Sequence, residues 1–135
     1  MPRLVVTRLR LRDPQFLDDF FAAAVAVVEQ AKASEGNLAA EVLGEASNTY
    51  WTGTAWEDED AMRSFMRREP HLSTMGRIDE WCDEATFVNW DQADAQLPAW
   101  DLAHRRLCAD GEVVRLPHES AENASRAFPP PVTGA

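Results

Sequence analysis

From Leu4 to Trp90 the apolar residues run through six segments in a fixed order: alternating, helical, alternating, alternating, helical, alternating. In Leu4 to Leu11, Val5, Thr7, Leu9 and Leu11 share one face, and Leu4, Val6, Arg8 and Arg10 share the other. Asp13-Pro14 then supplies a capping carboxylate and a proline for a first helical turn. Leu17, Phe20, Phe21, Ala24, Val28 and Ala31 form one helical stripe running to about Ser34, with Gly36 as a stop. A second strand covers Asn37 to Leu43, and Gly44 to Asn48 has the composition of a turn. Thr49 to Trp56, rich in threonine and aromatic residues, is the clearest strand and pairs with the second as a hairpin. Glu57-Asp58 opens a second helix with acids at its positive end. Its stripe is Ala61, Met62, Phe65 and Met66. Pro70 interrupts it, and helical spacing resumes through Leu72, Met75, Ile78 and Trp81 or Cys82. A fourth strand spans Glu84 to Trp90.

The order βαββαβ predicts an α+β, ferredoxin-like fold: a four-stranded antiparallel sheet with both helices on one face. The other face is then bare. Whichever side of the third strand meets the helices, either Trp51 or the Tyr50–Trp56 pair is left opposite. Such a patch needs a cover, and a second copy related by a two-fold axis supplies one, so a homodimer is expected.

Residues 1–90 therefore read as the ferredoxin-like domain and residues 91–135 as a C-terminal extension packed on it or on the partner. Asp91 to Leu97 looks like a linker, Pro98 to Asp110 like a short helix ending at Gly111, and Glu112 to Leu116 like a short strand. From Pro117 onward there is no periodicity, and Phe128-Pro129-Pro130-Pro131 suits neither helix nor sheet interior. That stretch is either disordered or an arm.

Composition removes several classes of function. A net charge of -10 repels phosphate backbones and anionic lipid heads, so nucleic acid and membrane are not expected partners. The apolar run from Phe20 to Val28 is too short to span a bilayer, and Met1-Pro2-Arg3 leads directly into a strand, so a cytoplasmic protein is expected. Cys82 and Cys108 have no CxxC spacing and read as small, partly buried apolar residues. HxxxH, HExxH, GxSxG, GxGxxG and GxxxxGK are all absent, which leaves no case for a metal set, a hydrolase, a kinase or a dinucleotide enzyme.

The segment Tyr50-Trp-Thr-Gly-Thr-Ala-Trp-Glu-Asp-Glu-Asp-Ala-Met-Arg-Ser-Phe-Met, followed by Glu69-Pro-His-Leu-Ser-Thr-Met, resembles the antibiotic-biosynthesis-monooxygenase-like group of dimeric α+β barrel proteins. The shared feature is a strand ending in tryptophan plus an acid, a helix start, and an aromatic one or two turns on. The resemblance covers Leu4 to Trp90. It implies a homodimer whose two sheets close into a barrel, with an apolar cavity in each subunit between sheet and helices. In oxygenase members that cavity holds a polycyclic phenol, and no cofactor is needed. In haem-degrading members a helix histidine ligates the iron; here Met75 stands near that place and His71 lies one turn earlier. The extension from Asp91 exceeds the group's minimal length and is expected to cap the pocket.

His71 is the one histidine in the matching region and is the candidate general base, against the alternative of a surface or capping histidine. Trp51, Trp56 and Trp81 offer large apolar walls with one donor each, suited to a flat ligand or to plain core and interface. Gly53 and Ala55 share the face of Trp51 and leave room beside it. Thr52 and Thr54 either offer hydroxyls to a pocket or simply fill strand positions, and Phe65 and Met75 complete the candidate pocket. Arg8 either pairs with a carboxylate, Glu41 being the neighbour considered, or holds an anionic substrate group. Three functions follow: a cofactor-independent monooxygenase acting on an aromatic or apolar metabolite, a non-catalytic small-molecule binding module, and a haem-binding protein.

Overall fold

The computed structural model describes residues 1–45 and 48–132. Strands β1 (Arg3–Leu11), β2 (Asn37–Glu45), β3 (Thr49–Trp56), β4 (Cys82–Asp91) and β5 (Glu112–Val113) form an antiparallel sheet in the order β2-β3-β1-β4-β5. The first four carry the split-βαβ topology. The fifth extends the four-stranded expectation. It pairs Thr86 with Val113 and Phe87 with Glu112, and the Val114 amide continues the edge to the Ala85 carbonyl at 2.9 Å.

Local chemistry sets the helix boundaries. The Asp13 carboxylate caps a 3-10 turn by accepting from the Gln15 amide at 2.8 Å, and α1 (Leu17–Ala33) continues from it. Gly36 follows with φ 85°, a conformation open to glycine without strain. Asp58 caps α2 (Glu59–Met66) through the Ala61 amide at 2.9 Å. The second helical region, read as one kinked helix, is three short ones, because the chain leaves helical geometry before Pro70. α3 (His71–Met75) and α4 (Ile78–Trp81) complete it. Of the predicted turn over 44–48, residues 46 and 47 lie outside the described residues.

Strand parity divides the packing in two. Val5, Thr7 and Leu9 of β1, with Tyr50, Thr52, Thr54 and Trp56 of β3, face α1 to α4. Val6, Trp51 and Val88 face the opposite way, against Ala103 and Leu107 of α5 (Trp100–Asp110) and against Phe128. The two helical regions of the ferredoxin-like order thus share one face, as expected, and the helix of the extension lies on the other. The face that the sequence left bare, and gave to a second copy to cover, is covered by α5 and the arm after it. The reason is the stripe of Trp100, Ala103 and Leu107, which needs an apolar surface of its own.

This covered face also buries charge. Arg8 is 3% exposed and its guanidinium meets Glu84 at 2.6 Å. Arg10 adds a second cation 3.3 Å from Glu84 and makes a two-point contact with Asp83. The arm completes the arrangement: Ser120 Oγ donates to Glu84 at 2.7 Å, and the Phe128 ring lies 4.2 Å from the Arg8 guanidinium. Asn123, 1% exposed, accepts from the Ala85 amide at 3.0 Å and donates to the Val114 carbonyl at 2.9 Å. A stretch with no sequence periodicity is therefore held by individual polar contacts.

Candidate active site

Between α1 to α3 and the sheet lies a cavity of about 680 Å³, within the size range of small-molecule sites. Its origin is side-chain size. Over Thr7, Thr52 and Thr54 the first helix presents Ala24, Val27 and Val28, which are too short to fill the helix-to-sheet gap. The cavity opens between α1 and β2, where Phe21 is 59% exposed and Val42 50% exposed. Glu29 and Glu41 stand exposed among the residues around it, and no lysine or arginine is among the described residues that border it.

One wall is a continuous run of rings. Trp56 stacks on Phe65 at 4.8 Å between centroids, and Phe65 meets the His71 imidazole at 4.7 Å. Trp56 Nε1 donates to Thr54 Oγ1 at 3.0 Å, which satisfies the buried indole and fixes its plane. His71 follows Pro70 at the start of α3, and its Nδ1 lies 3.0 Å from the Met66 carbonyl. A carbonyl only accepts, so Nδ1 carries the proton and Nε2 keeps its lone pair. Burial pushes the imidazole pKa below its ordinary value, and the Met66 carbonyl opposes this in part. The ring is therefore neutral at pH 7, with Nε2 available to take a proton.

A residue outside the sequence candidates supports that geometry. Gln30 of α1 accepts from the His71 amide at 2.8 Å and donates to the carbonyls of Phe65 and Arg68 at 3.1 and 3.2 Å. One side chain on the first helix thus fixes the corner that carries the imidazole. Tyr50 and Phe87 also border the cavity and were not among the candidates. Tyr50 follows from the strand parity of Thr52 and Thr54 once the helix-facing side is known.

Of the candidates, Thr52, Thr54, Trp56, Phe65, His71 and Met75 come together around the cavity. Three do not serve it. Arg8 is on the other face of the sheet, paired with Glu84 where Glu41 was considered. Trp81 is core: fully buried, edge-on to Phe20 at 5.8 Å and under the Arg77 guanidinium at 4.3 Å. Trp51 borders the cavity as a residue, but its indole packs with Val6, Leu107 and Phe128 and donates to Glu45 at 3.0 Å. The room expected beside Trp51 at Gly53 is filled by Leu97 and Trp100. The extension does not cap the cavity; it lies mostly across the sheet from it, with Val114 alone among its described residues on the cavity wall.

The remaining reactive groups are structural. Burial pushes the Cys82 thiol up to about 12, so it stays protonated. His104 Nε2 lies 2.9 Å from the Phe128 carbonyl, on the covered face. Among the described residues no cluster of three or more histidine, cysteine or acidic side chains could hold a metal ion. No helix among them is long and apolar enough to cross a membrane.

A family model described as antibiotic biosynthesis monooxygenase matches residues 2–77. The chain belongs to that family. The same α+β, ferredoxin-like fold recurs in solved structures. A protein from Mycobacterium tuberculosis superposes with a TM-score of 0.63 at 14% identity, covering 70% of this chain and 97% of its own. A conserved protein from Methanosarcina mazei Go1 gives 0.61 at 17% identity, covering 68% and 93%. SnoaB, a cofactor-independent oxygenase from Streptomyces nogalater, gives 0.57 at 16% identity, covering 73% and 98%. These likenesses establish the fold. No protein of curated function matches the chain. This antibiotic biosynthesis monooxygenase family member is longer than the three structural relatives. They are matched almost end to end, while between a quarter and a third of its own length has no counterpart in them.

Proposed function

We propose that this protein is a cofactor-independent monooxygenase of a neutral, flat aromatic metabolite, with His71 as its general base. The observation that carries the reading is the ring wall of Trp56, Phe65 and His71, ending in a neutral imidazole whose Nε2 is unbonded beside an apolar cavity. A phenol stacked along that wall and losing its proton to Nε2 becomes an electron-rich anion that dioxygen can oxidise. Overall, phenol plus O₂ gives quinone plus water. One oxygen atom enters the ring and the other leaves as water, so no external reductant is required. The cavity contributes orientation and exclusion of water, and Thr52 and Thr54 offer hydroxyls to the ring substituents. SnoaB, of the same fold, is described as a cofactor-independent oxygenase, which supports the reaction class.

Oxygen uptake with a panel of uncharged polycyclic phenols tests this. Wild-type protein is expected to consume oxygen, and His71→Ala to lose about 10²- to 10⁴-fold in kcat, the usual worth of a positioned base. Quenching of tryptophan fluorescence should show the ligand still bound to the variant. Binding without uptake in the wild type would instead make this a binding module. Haem is the weaker reading: the cavity presents one imidazole nitrogen, and no described cation borders it to meet the propionates.

A further inference from the structure

We propose that Thr7 and Thr52 form one binding subsite: two neutral hydroxyls, side by side on the floor of the cavity, that hold an uncharged carbonyl oxygen of the ligand. Thr7 of β1 is the register partner of Thr52 of β3, and both lie on the face toward α1. Directly opposite residues on one face of an antiparallel pair have Cβ atoms about 4.5–5.5 Å apart, so one carbonyl oxygen can accept from both hydroxyls. Across the sheet the same row ends in Val42 and Phe87, and along β1 Thr7 lies between Val5 and Leu9. The stretch of α1 above presents Ala24, Val27 and Val28, none of which can bond to a hydroxyl. The pair is therefore a polar spot in an apolar box.

Its hydrogen bonding sets it apart from threonines that merely fill a strand. Thr54 Oγ1 accepts from the Trp56 indole, whereas among the described residues neither the Thr7 nor the Thr52 hydroxyl has a hydrogen-bond partner. Both residues border the cavity and are half-buried, so their hydroxyls are open to a ligand there. Valine has the same shape and suits a strand equally, and a hydroxyl held away from bulk water without a partner costs free energy that valine does not. A ligand oxygen offsets that cost. Charge narrows the class. No described lysine or arginine borders the cavity, and two neutral donors do not compensate a desolvated carboxylate or phosphate. On β3, Thr52 stands two side chains along the face from Trp56, roughly 13 Å. The oxygen held there is thus distinct from a phenol oxygen at His71. The subsite rests on the reading of the cavity as a ligand site and not on the oxygenase chemistry.

The test uses two flat, uncharged compounds that differ by the carbonyl, fluorenone and fluorene. Equilibrium dialysis gives their affinities for the wild type, Thr7→Val, Thr52→Val and Thr52→Ser. The wild type is expected to prefer fluorenone. Each valine is expected to weaken fluorenone binding about 2- to 10-fold, the usual worth of one neutral hydrogen bond, and to leave fluorene unchanged. Thr52→Ser keeps the hydroxyl and is expected to keep the preference. Infrared spectra of bound, carbon-13-labelled fluorenone give the direct signature: a carbonyl band below its position in hydrocarbon solvent, moving back toward it in both valine variants. A band at the hydrocarbon position in the wild type would overturn the subsite. So would valine variants that keep the fluorenone preference or lose both compounds equally, and so would a wild type that binds neither. Fluorenone has no proton to give His71, so the preference is expected to survive His71→Ala. That preference without oxygen uptake from any phenol would leave the subsite standing and remove only the monooxygenase.

Discussion

The two faces of the sheet use the same strands for opposite ends. Toward α1 the central strands present threonines and short aliphatics under a helix of alanines and valines, and the result is a hollow. Toward α5 they present Trp51, Val6, Val88 and a buried ion pair, and the result is a filled core. Alternation along a strand makes this division possible, since neighbouring residues never compete for the same space. A face built to receive a ligand gives up packing density, and that loss has to be offset elsewhere in the same domain. Here the offset lies one residue away along each strand.

Truncation on the filled face should cost most. Trp51→Ala is expected to destabilise the protein by about 3–5 kcal/mol, the range for a large aromatic removed from a core. Urea unfolding measures it; a loss below about 1 kcal/mol would mean that this face is not the packed one. The hollow face should respond with the opposite sign. Ala24→Leu adds volume where there is space and is expected to raise stability by about 0.5–2 kcal/mol, as cavity-filling changes do, while weakening binding of a flat aromatic probe. If both stability and binding fell, the gap under α1 would be narrower than it stands here.

A loss smaller than that of Trp51→Ala comes from Thr54→Val, which takes the acceptor from the buried Trp56 indole. The expected loss is about 1–3 kcal/mol, with a change in the Trp56 emission maximum as its independent signature. The subtlest is a pH dependence. The His71 pKa in the folded chain is depressed below its ordinary 6.5, so the base stays neutral through that value and is lost only as pH falls through the lower folded one. The acid limb of kcat/KM should therefore have a midpoint below 6.5 and vanish in His71→Ala. A midpoint above it would overturn burial as the main influence on this imidazole.

How much of this the sequence reveals depends on the kind of signal. Periodicity identified the topology, because strands and helices repeat. It also brought out Thr52, Thr54 and Trp56 together, because they share a parity with one another. It could not say which parity faces the helices: β1 is apolar on both sides, Leu4 and Val6 on one and Val5 and Leu9 on the other, which is why Trp51 and Arg8 were grouped with the cavity. Nor could it place residues 117–132. Asn123, Ser120 and Phe128 are each fixed by one or two contacts with distant strands, and single contacts leave no pattern along the chain. Gln30 was invisible for the same reason, a polar residue on a helix whose use depends on a corner 35 to 41 residues away.

That glutamine has a mechanical consequence. Its three hydrogen bonds make it a strut between the first helix and the turn bearing His71. The mouth of the cavity lies along the same helix, at Phe21. An outward swing of α1 wide enough to admit a bulky guest must either snap all three bonds at once or drag the imidazole along with it. Entry of a bulky guest at that helix would therefore disturb the base as well as the doorway.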